Sequence, residues 1–342
     1  MNSAQKLAKK GLFAKASAYF NSAVNKTIGA SSPVVRKWEK PLIDYYGNLE
    51  LKKQPVFIIG APRTGSTILY QALTNIYDVL YVDNLVCRFH RNFFFGFWLS
   101  NRFYRSKPHN NFSADHGRTK GWHSPSECGQ FWYKWLPRHR HFIDYDDITP
   151  EIVRQIRLEI TSVINYFNKP LVFKNLNAGQ RIRLLTTCFP EATFLFITRD
   201  PVQTVQAILM AKRELHVDDG AFWSIMPRNV RELEKLDPFE QIAKQVYFLE
   251  RQIVQDSSLT ARGGFYTIEY KKLSLSYVDD LARKLKFDKR QRYEIPSIRI
   301  NEAMLVKKEE FQLLAAQIEK LDWTFMHKNQ TRISHESDEA GT

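Results

Sequence analysis

Residues 54–73 read QPVFIIGAPRTGSTILYQAL, and the fold is decided by how this stretch is read. Val56 to Ile59 is an unbroken β-branched and aromatic run, the composition of a strand buried on both faces of a parallel sheet. After it come Gly60-Ala61-Pro62-Arg63-Thr64-Gly65-Ser66-Thr67, and from Ile68 the apolar residues Ile68, Leu69, Ala72 and Leu73 recur at helical spacing. The pattern predicts a strand, a glycine-bounded loop and a helix. Such a loop wraps an anion, because its backbone N–H groups and the unsatisfied donors of the first helical turn converge on one point. Gly60 and Gly65 permit the close wrap, and the hydroxyls of Thr64, Ser66 and Thr67 add donors.

The spacing fits G-x-x-x-x-G-K-[ST] except that Ser66 stands where that pattern has the lysine reaching the β- and γ-phosphates. A cradle without that lysine suits a donor with a single 5′-phosphate better than a nucleoside triphosphate. The plain alternative is a strand-turn-helix whose Gly and Ser only make the turn. Agreement of the strand, loop and helix signals favours the anion site.

Pro62-Arg63-Thr64-Gly65-Ser66-Thr67 resembles the 5′-phosphosulfate loop of sulfotransferases, which take a sulfuryl group from 3′-phosphoadenosine 5′-phosphosulfate (PAPS). Residues 194–205, FLFITRDPVQTV, resemble the strand-to-helix segment that holds the donor's 3′-phosphate in that family. Leu171-Val172-Phe173-Lys174-Asn175, with the following residues 181–192, is similar to the strand and helix preceding that segment in bacterial members. The likeness runs over residues 54–275, and two separated motifs in the right order are more specific than one glycine loop.

The expected fold is a three-layer α/β/α arrangement with a mainly parallel sheet, the donor lying across the carboxyl ends of strands 55–60 and 193–198. The resemblance implies that Arg63, Thr64, Gly65, Ser66 and Thr67 hold the 5′-phosphosulfate, that Arg199 and Thr204 hold the 3′-phosphate, and that Arg63 and Lys174 offset the charge of the reaction. It requires no metal. One departure is Ala207, at the position eight residues after the arginine where the family has a serine; Thr204 or Gln206 is the compensating candidate. The cytosolic small-molecule branch carries its base just after the strand lysine, but here Leu176 and Asn177 follow Lys174 and neither can take a proton. The base is therefore sought elsewhere, in Gly121-Trp122-His123-Ser124-Pro125-Ser126-Glu127, with Glu127 ahead of His123. The competing reading has Ser124 or Ser126 capping a helix from Pro125 with Glu127 in its first turn.

That segment closes a long insertion, residues 85–150, where helix and strand alternation breaks down. Between Val86 and Gly121 the only acid is Asp115, among Arg88, Arg91, Arg102, Arg105, Lys107, Arg118 and Lys120 and nine Phe, Trp and Tyr residues. Cations beside aromatic faces hold sugars, acidic glycans or lipid headgroups; the alternative is a satellite apolar cluster with solvated charges. No nucleic-acid-binding fold accompanies it, so nucleic acid is not an expected partner. A cap over an acceptor pocket satisfies both readings, and the acceptor expected is a carbohydrate or glycolipid hydroxyl or amine.

The 342 residues carry 50 Lys and Arg against 36 Asp and Glu, a net +14 that favours anionic partners without choosing among them. Cys87, Cys128 and Cys188 have no metal spacing and an odd count, which points to reduced thiols and a cytoplasmic protein. Residues 1–50 read as a basic helical extension: Lys6, Lys9, Lys10, Lys15 and Lys26 surround apolar residues with no acid before position 31. Such a helix docks on the body, lies on an anionic membrane surface, or serves as a transit segment. Pro33 and Pro41 punctuate a connector over 31–53; the catalytic domain is expected over 51–325 and a flexible tail over 326–342. Nothing in the sequence sets the oligomeric state. Two rivals stand against the transferase: a phosphate-loop nucleotide kinase or NTPase, which Ser66 disfavours, and a non-catalytic polyanion- or membrane-binding protein built on the insertion.

Overall fold

The computed structural model describes residues 3–105, 107–294 and 298–326, with side chains from residue 22 onward except 23 and 25. In chain order the elements are α1 (Ser3–Gly47), β1 (Val56–Ile59), α2 (Ser66–Ile76), β2 (Leu80–Tyr81), α3 (Asn84–Arg88), α4 (Phe93–Tyr104), α5 (Gly129–Trp132), α6 (Pro150–Phe167), β3 (Leu171–Lys174), α7 (Ile182–Cys188), β4 (Thr193–Thr198), α8 (Pro201–Glu214), α9 (Val230–Leu233), α10 (Pro238–Asp256), β5 (Phe265–Glu269), α11 (Leu275–Lys284) and α12 (Lys308–Glu319).

The five strands form one parallel sheet in the order β2-β3-β1-β4-β5, with Val56 opposite both Val172 and Thr193. Alternation along β1 explains the layers. Phe57 and Ile59 face the core shared with α6 and α7, while Val56 and Ile58 face the core under α2 and α11. Phe57 stacks between Phe173 and Phe194 at 5.3 and 5.5 Å, a ladder across three neighbouring strands that adds about 0.5–1.5 kcal/mol per pair beyond burial. A third cluster, Val205, Ile208, Val246 and Leu314, joins α8, α10 and α12. The sheet is thus covered on both faces, the three-layer α/β/α arrangement read from the strand composition.

Three expectations are corrected. The connector with Pro33 and Pro41 is instead the second half of one helix, α1. Each proline costs about 3 kcal/mol in a helix interior, and docking offsets it. Buried Glu39 accepts from Phe95 N and Asn92 Nδ2, both at 3.0 Å, and Asn165 Nδ2 donates to Tyr46 O at 2.9 Å. The insertion's phenylalanines divide: Phe93, Phe94 and Phe97 belong to the main core, not to a satellite. Cys87 and Cys128 form a disulfide, and only Cys188 is a free, buried thiol. The tail expected at 326–342 lies, beyond Met326, outside the described residues, as do the first 21 side chains of the basic extension.

Candidate active site

The strand order sets β3 and β4 on either side of β1, so the β1–α2 loop, Lys174 at the end of β3 and Arg199 just past β4 meet at one edge of the sheet. They line a cleft of about 330 Å³ together with Ser66, Thr67 and Glu127. Arg63 and Gly65 are in the left-handed region, with φ of 69° and 93°. Only glycine fits at 65, because a Cβ there would stand 2.4 Å from Cδ2 of Tyr270. No side chain caps the N-terminus of α2, which begins at Ser66 just past the loop. Thr64 is used differently from its neighbours: its buried hydroxyl donates to Ala61 O at 2.9 Å and braces the loop from inside, while Ser66 and Thr67 line the cleft.

Arg199 donates to Arg63 O at 3.2 Å and to Asn301 O, with its guanidinium 4.8 Å from the Tyr270 ring centre. Burial, and then the nearby Arg63 cation, lower its pKa. Its Nε is buried without a protein acceptor. Lys174 is buried and ion-paired through Nζ with Glu127 Oε1, while Asn175 Nδ2 donates to Glu127 O at 3.0 Å. Two consecutive residues at the end of β3 therefore hold the carboxylate and the main chain of residue 127. The helix-cap reading of Glu127 is overturned, since α5 begins only at Gly129 and the Glu127 side chain turns to Lys174.

Residues 124–126 run antiparallel beside the end of β2, with Asp83 bridged to Pro125 and Ser126 N donating to Val82 O at 2.8 Å. This pairing separates the two base candidates. His123 is not brought to the cleft: Nδ1 lies 3.0 Å from Asp83 Oδ2, Nε2 lies 2.8 Å from Lys107 O, and the ring stacks on Tyr104 at 4.1 Å. With both nitrogens engaged, the histidine ties the insertion to β2. Thr204 is also elsewhere, fully buried with its hydroxyl returned to Asp200 O at 3.0 Å. Ala207 lines the cleft where a serine was expected. Gln206 accepts from Leu305 N at 2.8 Å and donates to Ala303 O at 3.1 Å, so it holds the segment that brings Asn301 and Leu305 to the cleft.

Sequence reasoning missed a strap over the cleft. Gly117 has φ 83°, and a Cβ there would lie 3.0 Å from Glu127 Oε1, 3.7 Å from Lys174 Nζ and 3.8 Å from Thr67 Oγ1. His116 beside it lines the cleft, with Nε2 3.1 Å from Glu214 and Nδ1 buried and unpartnered. Phe112, Trp223 and Tyr270 supply aromatic walls. A histidine and glycine in a polar loop carry no spacing signal; only the fold places them. The arrangement as a whole presents three cations, Arg63, Lys174 and Arg199, and one carboxylate, which suits an anion with two charged groups and a proton to be removed beside it.

No group of three or more His, Cys, Asp or Glu able to hold a metal occurs among the described residues, and no helix among them is long and apolar enough to cross a membrane. The profile described as the sulfotransferase family matches residues 55–287. Similar solved structures include sulfotransferase STF1 from Mycobacterium tuberculosis H37Rv, at 14% identity over 89% of this chain and 81% of that one, TM-score 0.45. Sulfotransferase STF9 from Mycobacterium avium has 13% identity over 84% and 72%, TM-score 0.47. A sulfotransferase from Alicyclobacillus acidocaldarius has 15% identity over 82% and 96%, TM-score 0.41. No curated protein matches the chain.

Proposed function

The chain belongs to the sulfotransferase family, and from that premise we propose that it moves the sulfuryl group of PAPS to a hydroxyl or amine by in-line displacement. The observation that carries the proposal is the convergence, in one cleft, of a phosphate loop with Ser66 in the lysine position, Lys174 and Arg199 from the strands flanking β1, and Glu127. The loop amides with Ser66 and Thr67 receive the 5′-phosphosulfate, and Arg199, which lines the same cleft, gives the 3′-phosphate a cationic donor. The acceptor oxygen or nitrogen attacks sulfur as the bond from sulfur to the 5′-phosphate oxygen breaks. Glu127 takes the acceptor's proton, while Arg63 and Lys174 offset the charge gathering on the departing phosphate and the sulfuryl oxygens. Pairing with Lys174 holds the Glu127 carboxylate in place until the donor draws the ammonium away.

The acceptor we propose is a carbohydrate or glycolipid, because the insertion lines the cleft with an aromatic ring, Phe112, and the polar side chains of His116 and Glu127. As to compartment, the thiol argument for a cytoplasmic enzyme falls with the Cys87–Cys128 bond, since such bonds persist in oxidising surroundings. Incubation with ³⁵S-labelled PAPS and pooled acceptors, read by mass spectrometry for an added sulfate, tests the activity. Arg63→Ala should abolish transfer in a folded protein, and full activity in that variant removes its role. Binding of Mg-ATP without binding of 3′,5′-diphosphoadenosine would instead make the chain a nucleotide kinase or NTPase.

A further inference from the structure

Across the 117–127 strap from the donor cleft lies a second and larger cavity, of about 1080 Å³, walled by the Ile28–Ser32 turn of α1, by α3 and the loop after it, and by Thr119–Trp122. Its charge is one-sided. Among the described residues, Arg88, Arg91 and Lys120 line it and no Asp or Glu does, in a chain with 36 acidic residues. Arg91 and Lys120 have no carboxylate partner among the described residues. Concentrating cations in a concave site without counter-charges raises the free energy of the empty protein, and an anion relieves it.

The remaining lining narrows the class of anion. Trp122 is 41% exposed, unusual for the largest apolar side chain, and it is held with the Arg88 guanidinium 4.8 Å from its ring centre. A cation seated on one face fixes the indole and leaves it as a platform. Ser32, Asn92 and Gln130 add neutral hydrogen-bonding groups around it. A flat ring, neutral donors and acceptors, and a cationic lining together match a ring sugar bearing a carboxylate or sulfate. A lipid chain would need a continuous apolar trough, and among the described residues the lining has only Ile28, Phe89 and Trp122 to offer one. Position then links the cavity to the reaction: Ser126 lines it, and the next residue, Glu127, lines the donor cleft.

We propose that this cavity is an anionic-saccharide subsite, which binds the acidic sugar units next to the one presented to Glu127. Its place on the acceptor rests on the sulfotransferase reading above; its affinity for acidic sugars does not. The test uses the full chain and isothermal calorimetry with a heparin-derived hexasaccharide, its desulfated and carboxyl-reduced counterpart, a neutral cello-hexaose, and phosphatidylserine vesicles. The acidic hexasaccharide should bind, and the two neutral sugars at least about tenfold more weakly. Arg91→Ala with Lys120→Ala should lower its affinity by roughly 10- to 100-fold, the loss of two charge-assisted contacts, and Trp122→Ala should weaken it further. Binding of 3′,5′-diphosphoadenosine, measured on the same samples, should be unchanged in both variants and confirms that they are folded. Absence of hexasaccharide binding, equal binding of the neutral sugars, full affinity in the double variant, or vesicles that bind and displace the hexasaccharide would each overturn the subsite. Loss of nucleotide binding in the parent protein with hexasaccharide binding intact would sink the transferase reading and leave the subsite standing.

Discussion

Gly117→Ala probes whether the strap rests on the reacting groups. The substitution has two costs that the structure separates. At φ 83° an L-residue in the left-handed region loses about 1–2 kcal/mol, which for a chain of this size lowers Tm by roughly 1–3 °C. The new Cβ also stands 3.0 Å from Glu127 Oε1, so the carboxylate must yield by tenths of an ångström. Misplacement of a reacting group by ~1 Å costs on the order of 100-fold, and a shift of part of that distance should lower kcat by roughly tenfold. Gly263→Ala supplies the comparison, since Gly263 has φ 74° and nothing within 4 Å of its missing Cβ. It should show the same fall in Tm with kcat unchanged. Thermal unfolding and steady-state transfer on both variants decide the matter. If both lose the expected stability and Gly117→Ala keeps full kcat, the strap does not press on the base. If both lose activity alike, the loss is general softening and the site geometry is not its cause.

Arg199→Ala should weaken 3′,5′-diphosphoadenosine binding by roughly 10- to 100-fold through loss of a charge-assisted donor, whereas Thr204→Ala, whose hydroxyl is spent on Asp200 O, should leave it within about twofold; calorimetry that ranks them the other way rejects the assignment of the clamp. Fully buried Glu250 has its pKa pushed up to about 8 by desolvation, from an ordinary 4.5. The folded protein thus keeps a proton the unfolded chain gives up, so this contribution to stability is whole below about pH 4.5 and is lost as pH rises through 8. Glu250→Gln should flatten the decline in Tm between those limits, and an unchanged decline refutes the origin. Breaking the Cys87–Cys128 bond, by reductant or Cys87→Ser, releases a span of 41 residues and should cost about 4 kcal/mol in the chain-entropy account. Because Cys128 adjoins Glu127, transfer should fall with it; a Tm and rate indifferent to reductant would show that the bond does not brace the site.

The sheet and its cations were legible because each depends on a short run of sequence. VFII, LVFK and TFLFIT admit only buried strands, and in a parallel sheet whatever follows such a run stands at the ligand edge, so Lys174 and Arg199 could be placed without knowing what lies between them. What failed was everything settled by contacts across long spans. Pro33 and Pro41 marked a break by local rules, but Glu39 meets Phe95 from 56 positions away and the helix continues. Cys87 meets Cys128 only when α3 and the strap have folded onto each other. The pair His123 and Glu127 shows the limit most sharply. Four residues apart, one satisfies Asp83 and the other Lys174, because the intervening backbone pairs with the end of β2 and sends them to different sides. Composition cannot distinguish a histidine that fastens an insertion from a carboxylate that faces the cleft. The register of a three-residue pairing can, and it makes Glu127 the only predicted base that shares a cleft with the phosphate loop.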